Sequence, residues 1–449
     1  MKKSYTSFFI LGLLIFFIGI EGSFAKNKQI VAILDSPIDF KHANIKTQVD
    51  SNLMKIIGVD LGNGLTLSWY DYNEMSRSDF FEKMDVPSYF LSLFQLRAQD
   101  YLSQHRSVIH YFLPNIPQVL EDLRQAMTKL SPQYQSKWSN ISVFLHGTYV
   151  ADLVSRGNAG DFGIITYPLF KPEFSEEIDE NSLRLIAMRN AFDTEEGLGS
   201  DSVQQELKKL AETLAQNSVS TVNMSFSVSY QSSLRRFLGL LTPEAKDLYQ
   251  ADTRLQKDIQ EYLAKTIQLR IDSFHHLIRS NPETVFVLAA ENLSLDIAKQ
   301  NLTLARIKEP NLLKVAAIKG DGHLADFSSY SQDYVDVAAL GVGVRGALTG
   351  GGQLKMSGTS VATPFVTNTI VKIRSEHPEM SASESIQFLL EHHTRHNRHL
   401  DGKVVGGREL WLDTSLFEDV LDRNNPPIQL IYQEERLKDG TVCRSLFEP

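Results

Sequence analysis

Predominantly apolar runs of strand length recur along the chain at residues 30–34, 221–224, 285–290, 313–318 and 335–339. Runs without polar alternation suit strands buried on both faces, as in a parallel sheet covered by helices. Between them apolar residues recur at helical spacing, for example over 202–216 and 363–376. The alternation predicts an α/β protein with a mostly parallel central sheet. Two segments depart from it. Residues 61–139 carry Phe, Tyr, Leu and charge at helical spacing, broken at Pro87, Pro114, Pro117 and Pro132. Residues 230–279 read as helices joined near Leu241-Thr242-Pro243, with a long amphipathic helix over 258–278. Both are expected to be helical insertions standing outside the sheet. The linker-like cluster Asn424-Asn425-Pro426-Pro427 falls in a C-terminal tail, 416–449, expected to pack loosely.

Composition changes the picture mainly by exclusion. With 42% hydrophobic, 22% charged and 10% aromatic residues among 449, the chain is neither disordered nor a multi-span membrane protein. Its one cysteine, Cys443, excludes an internal disulfide, a CxxC redox pair and a thiolate zinc cluster. The net charge of −9 argues against nucleic acid as a partner, because such binding rests on Lys and Arg neutralising phosphates. At the N-terminus Lys2 and Lys3 precede an apolar run over 8–20, followed by Ser23-Phe24-Ala25. This is the pattern of a removable signal peptide, residues 1–25. The 13 apolar residues fall short of the roughly 20 that span a bilayer, so no stable membrane span is expected and the localisation is secreted or periplasmic. Removal of Lys2, Lys3 and Glu21 leaves a net charge of −10.

Three stretches carry candidate chemistry. The first apolar run ends in Asp35-Ser36-Pro37-Ile38-Asp39, a carboxylate at the end of a parallel strand, where open α/β sheets place their sites. A strand-end Asp is also a common helix cap or turn residue. His146-Gly147-Thr148-Tyr149-Val150-Ala151 opens a short helix that stops at Gly157, and Gly147 and Ala151 allow close packing beside the ring. Ser357-Gly358-Thr359-Ser360-Val361-Ala362-Thr363-Pro364 opens an apolar helix. A serine there is either an N-cap or a hydroxyl beside free N–H groups that favour a developing oxyanion. Pro364 is tolerated because the first helical turn, where it is expected to lie, needs no backbone donor.

Together the three stretches resemble the subtilisin-like serine peptidases, the subtilase family, in which the order is Asp, His, Ser. With the insertions set aside, the resemblance covers about 28–415, a peptidase domain bounded at 26–415. It implies a three-layer fold with seven parallel strands, a protein or peptide substrate, and serine endopeptidase activity through an acyl-enzyme. By carry-over Ser360 is the nucleophile, His146 the general base and then acid, and Asp35 the group that orients the imidazole. Val285-Phe286-Val287-Leu288-Ala289-Ala290-Glu291-Asn292 is similar to the strand whose Asn, here Asn292, supplies the oxyanion amide. Ser225, Phe226 and Ser227 match the substrate-binding strand. The resemblance also admits calcium, which many members bind; Asp321, Asp326, Asp333 and Asp336 are the candidate ligands, without a recognisable loop spacing. No other cofactor is implied.

The departures bear on what the site can do. Pro37, Glu291 and Ser227 stand where the family has Gly, and Leu340 where it has Pro. An impaired subtilase-like binding protein is therefore the alternative function; an esterase is disfavoured by the lack of a G-x-S-x-G elbow. Glu291 either faces the pocket and selects Lys or Arg, or turns away to pair with a nearby Lys or Arg and leaves an apolar pocket. Asp35 lies ten residues beyond the cleavage point, so folding is expected without an N-terminal pro-domain or with help from another chain. The insertions restrict substrates, bind a partner protein, or merely decorate the fold. His392, His393, His396 and His399 read as a solvated helix end in preference to a metal site. Gly350-Gly351-Gly352 is read as a flexible connection.

Overall fold

The computed structural model describes residues 29–35, 38, 45, 55–56, 59–60, 66–67, 146–157, 162–168, 178–192, 200–347, 353–412, 431–436 and 442–447. The signal segment, Pro37, the Gly350–352 run and all but 66–67 of the first insertion lie outside the described residues.

Strand β1 (Gln29–Asp35) is followed by β2 (Lys55–Ile56), a small antiparallel pair β3 (Val59–Asp60) and β4 (Thr66–Leu67), and β5 (Phe162–Pro168). Next come β6 (Thr221–Met224), β7 (Val285–Ala289), β8 (Leu312–Ile318), β9 (Val337–Leu340), β10 (Val344–Ala347), β11 (Gln353–Met356), β12 (Thr394–His396) and β13 (Arg408–Leu410). One nine-stranded sheet has the order β12-β13-β9-β8-β7-β6-β1-β5-β2. Every neighbouring pair is parallel except β12 with β13 at the edge. The seven parallel strands that the resemblance implies are the run from β13 to β5, lengthened by one strand at each side.

Alternate residues of the apolar runs go to opposite faces, which makes three layers. Phe286 and Leu288 of β7 join Leu207, Leu210 and Leu214 of the Ser200–Gln216 helix and Ile267, Phe274 and Leu277 of the Thr253–Arg279 helix. Val285 and Val287 face the other way, against Val361, Phe365 and Ile370 of the Thr359–Glu376 helix and Ile386 and Leu389 of the Ala382–His392 helix. The helix over 146–155 lies on this second face, with Val150 and Val154 against Val31 and Ile33.

The expectation that 230–279 stands outside the sheet needs correction. The helices Tyr230–Leu240 and Pro243–Ala251 and the first half of Thr253–Arg279 form a separate core with the Glu180–Phe192 helix, built from Phe237, Tyr249, Ile259 and Leu263. The second half of the long helix instead covers the sheet, because its apolar residues at 267, 271, 274 and 278 form one stripe at helical spacing. The helix also starts before 258, at Thr253, where the Asp252 carboxylate accepts the Arg254 and Leu255 N–H groups at 3.0 Å each. Within the tail, β14 (Ile431–Arg436) pairs antiparallel with β15 (Val442–Phe447), structure that the composition of 416–449 did not suggest.

One buried ion pair locks the 146–155 helix to the hairpin of β10 and β11. Arg156 Nη2 lies 2.6 Å from Asp152 Oδ2 and donates to the Arg345 carbonyl, while the Ala347 N–H donates to the same Asp152 oxygen at 2.8 Å. Both side chains are almost fully buried. Arg156→Ala leaves the Asp152 charge buried without its cation, and is expected to cost about 3 to 5 kcal/mol. The shift of the denaturant midpoint measures this; a loss under about 1 kcal/mol would show that the carboxylate is solvated or neutralised instead.

Candidate active site

Asp35 is the last residue of β1 and is fully buried. From the 146–155 helix His146 reaches it, with Nδ1 2.8 Å from Oδ1 and 2.9 Å from Oδ2. An ionised carboxylate only accepts, so Nδ1 carries the hydrogen and the neutral ring has its lone pair on Nε2. Burial works against the imidazolium, but the charge and hydrogen bond of Asp35 outweigh it, and the His146 pKa is raised above its ordinary 6.5. The His146 side chain is 27% exposed, open enough to be reached by a reactant.

Ser360 is the second residue of the Thr359–Glu376 helix and half-buried. The turn before it is fixed by Gly358, whose N–H donates to the Gly341 carbonyl at 2.8 Å. A Cβ on Gly341 would lie 2.6 Å from the Ala317 Cβ and 2.7 Å from the Gly358 oxygen, so glycine is what lets the two turns close. Since the helix starts at Thr359, Pro364 falls in the second turn, not the first, and deprives the Ser360 carbonyl of its i+4 donor. A side chain from β6's exit fills the gap: the Ser225 hydroxyl donates to Ser360 O at 2.9 Å. Ser225 in turn accepts from Asn223 Nδ2 at 2.9 Å, and Asn223 Oδ1 accepts from the Thr367 hydroxyl at 2.9 Å. Farther along the same helix, Asn368 Nδ2 donates to the carbonyls of Val154 and Arg156 at 2.8 Å each, tying the His146 helix to the Ser360 helix.

Asn292, three residues beyond β7, is fastened to the same helix start. Its Oδ1 accepts from the Thr359 N–H at 2.8 Å and the Thr359 hydroxyl at 3.0 Å. This leaves its Nδ2 donors without a partner among the described residues. The Ser360 N–H, in the first turn, has no intrahelical acceptor. The Ser360 hydroxyl likewise makes no hydrogen bond among the described residues, to His146 or to any other group.

The remaining candidates divide by where their side chains go. Ser225 is spent on Ser360, and Phe226 turns into the core with its ring 5.5 Å from that of Phe274; Ser227 is half-buried. Leu340 ends β9 opposite Ile318. Glu291 is 2% exposed and has φ 79°, a left-handed conformation that costs a residue with a Cβ about 1 to 2 kcal/mol. The expected Lys or Arg partner for a turned-away Glu291 is not what it meets. Its Oε1 accepts from the Thr303 hydroxyl, and no cation among the described residues pairs with it. Burial raises its pKa, with the Thr303, Gln300 and Ser229 side chains pulling it back.

Sequence reasoning assigned no separate role to Asn223, Thr303, Thr359 or Asn368. Their signal is a polar residue inside an otherwise buried strand or helix, which marks a committed hydrogen bond without naming the partner. The histidine cluster separates: His396 pairs with Asp401 at 2.8 Å, His399 stacks on His323 at 3.8 Å, and His392 and His393 pack on Phe388. The candidate calcium ligands also go to different partners. Asp326 meets Lys319, Asp336 meets Lys314, and Asp321 accepts from the His323 N–H. Among the described residues no three His, Cys, Asp or Glu converge on one point.

A thermostable alkaline protease of Halalkalibacterium halodurans is 33% identical over 73 residues, 16% of this chain and 20% of that protein. Subtilisin E of Bacillus subtilis is 38% identical over 71 residues, 16% of this chain and 18% of that protein. The matched stretch thus spans about a fifth of the length of these curated relatives. A solved structure of a cold adapted subtilisin-like serine proteinase shares 20% identity and a TM-score of 0.36, over 60% of this chain and 74% of that one. The sequence pattern of the subtilase family itself runs much farther, through residues 26–407, from ahead of β1 to the edge of β13. The chain belongs to the subtilase family.

Proposed function

We propose that the protein is a serine endopeptidase in which Asp35, His146 and Ser360 act as a triad. The observation that carries this is the grip of a buried carboxylate on His146 Nδ1, which commits Nε2 to the role of base. In the reaction Ser360 Oγ attacks the scissile carbonyl carbon as His146 Nε2 takes the hydroxyl proton. Negative charge then moves to the carbonyl oxygen, for which Asn292 Nδ2 and the Ser360 N–H are the donors. Collapse breaks the C–N bond, and His146 returns the proton to the leaving amine. Water, activated by the same imidazole, hydrolyses the acyl-enzyme and restores Ser360.

The substrate class is protein or peptide. A secreted or periplasmic location rests on the pattern at 1–25; no helix among the described residues is long and apolar enough to cross a membrane. The test is a fluorophosphonate probe on the full chain, with the labelled peptide identified by mass spectrometry. Labelling at Ser360 supports the triad. Absence of both labelling and peptide cleavage would favour the impaired, binding-only alternative, for which the unjoined Ser360 hydroxyl is the supporting observation.

Asn292→Ala is expected to lower kcat by roughly 10² to 10³, or about 2.7 to 4 kcal/mol, with KM little changed. Steady-state kinetics on a peptide substrate measures it, and an unchanged kcat would remove Asn292 from the oxyanion hole.

A further inference from the structure

We propose that Glu291 is a positioning residue: its buried carboxyl latches the loop after β7 so that Asn292 presents its amide to the reacting carbonyl. The inference rests on the reading of Asn292 as an oxyanion donor. Its grounds are geometric. Glu291 immediately precedes Asn292, and its φ of 79° sets the direction in which the chain enters that residue. A left-handed residue with a Cβ persists where its surroundings hold it. Here the hold is visible, since the Thr303 hydroxyl donates to Oε1 and its own oxygen accepts the Ala305 N–H at 3.2 Å.

The elements behind the latch are themselves joined. The Tyr230 N–H donates to Leu302 O and the Leu304 N–H donates to Val228 O, both at 2.9 Å. This bridge clamps residues 228–230, at the exit of the Ser225–Ser227 stretch, against the turn that bears Thr303. Glu291 therefore connects the loop after β7 to the segment that continues from β6. On its other side the Glu291 carbonyl accepts the Ser329 N–H at 2.9 Å. Asn292 is then held from two directions, by Glu291 behind it and by Thr359 at its Oδ1. Glu291 Oε2 and the Gln300 amide are buried without a well-formed hydrogen bond, so a side chain with one donor and one acceptor fits this place as well as a carboxylate does.

Positioning and a direct charge effect on substrate make different predictions. Glycine is at ease at positive φ, so Glu291→Gly removes the latch without straining the backbone, and the chain still folds. On the full chain with a fluorogenic peptide, Glu291→Gly is expected to lower kcat by about tenfold with KM within about twofold. That loss is smaller than removal of the donor itself. Glu291→Gln, which still accepts from Thr303, should keep kcat within about twofold. Thr303→Val, which deletes the latch from the other side, should follow Glu291→Gly. In an Asn292→Ala background Glu291→Gly should add no further loss, because the two residues act through one donor. The proposal is overturned if Glu291→Gly keeps wild-type kcat, if its effect is additive with Asn292→Ala, or if Glu291→Gln fails as Glu291→Gly does. A wild-type chain that neither cleaves nor labels overturns the peptidase reading instead, a result distinct from each of these.

Discussion

Ser360→Ala is expected to lower kcat by about 10⁶ and to abolish labelling by a fluorophosphonate, while thermal stability stays within about 0.5 kcal/mol of wild type. The stability half follows from the surroundings of the hydroxyl. It makes no hydrogen bond among the described residues, and the bond that organises the helix start uses the Ser360 carbonyl, which alanine retains. Active-site titration and a thermal melt on the same preparation measure both halves. Cleavage within about tenfold of wild type would point to another nucleophile, and a large fall in melting temperature would make Ser360 a structural residue.

The second large effect concerns Asp35. Asp35→Asn preserves shape but replaces an acceptor-only carboxylate by an amide that can donate to Nδ1 and so hold His146 in the wrong tautomer, and kcat is expected to fall by about 10⁴. Its pH signature follows from the direction of the shift. His146 is raised above 6.5, so as pH falls the imidazole is protonated, and lost as a base, while the solution is still above that value. The acid limb of kcat/KM therefore lies above 6.5 in the wild type and moves to lower pH in Asp35→Asn. A pH–rate profile of both proteins decides it; coincident limbs would mean that His146 is not the titrating base. The same pairing stabilises the folded chain fully below the unfolded pKa of the histidine, and that contribution fades as pH rises through the folded value.

The strands that the sequence exposes most clearly are those buried on both faces, since a run such as Val285–Ala289 needs no partner to be recognised. Strand β5 escaped because Gly163 and Pro168 punctuate it like a loop, yet its place beside β1 satisfies it through a parallel neighbour on each side. The β14–β15 pair had its signal in Asp439-Gly440 between two short mixed segments, overshadowed by the preceding prolines. Within the site, motif resemblance brought forward Asp35, His146, Ser360 and Asn292, but no local pattern could show Asp35 and His146 in contact across 111 residues. The same limit hid the partnership of Ser225 with Ser360. It depends on where β6 ends relative to the helix, which is a matter of sheet register. Pro364 was the local clue, and it became informative only once the helix start was known.

The bond from Ser225 to the Ser360 carbonyl joins residues 135 apart in the chain. Asn292 and Thr359 are 67 apart. Both ties therefore close a long loop, so chain entropy must be lost before either of them forms. Contacts of this kind place a protein toward the slow end of the folding scale, while its helices form in microseconds or less. On the proposed reading, recovery of Ser360 reactivity after dilution from denaturant is therefore expected to follow the completion of the parallel sheet, after the helical signal has returned. A partly assembled chain of this design has helices before it has the long-range ties that hold Ser225, Asn292 and Ser360 together.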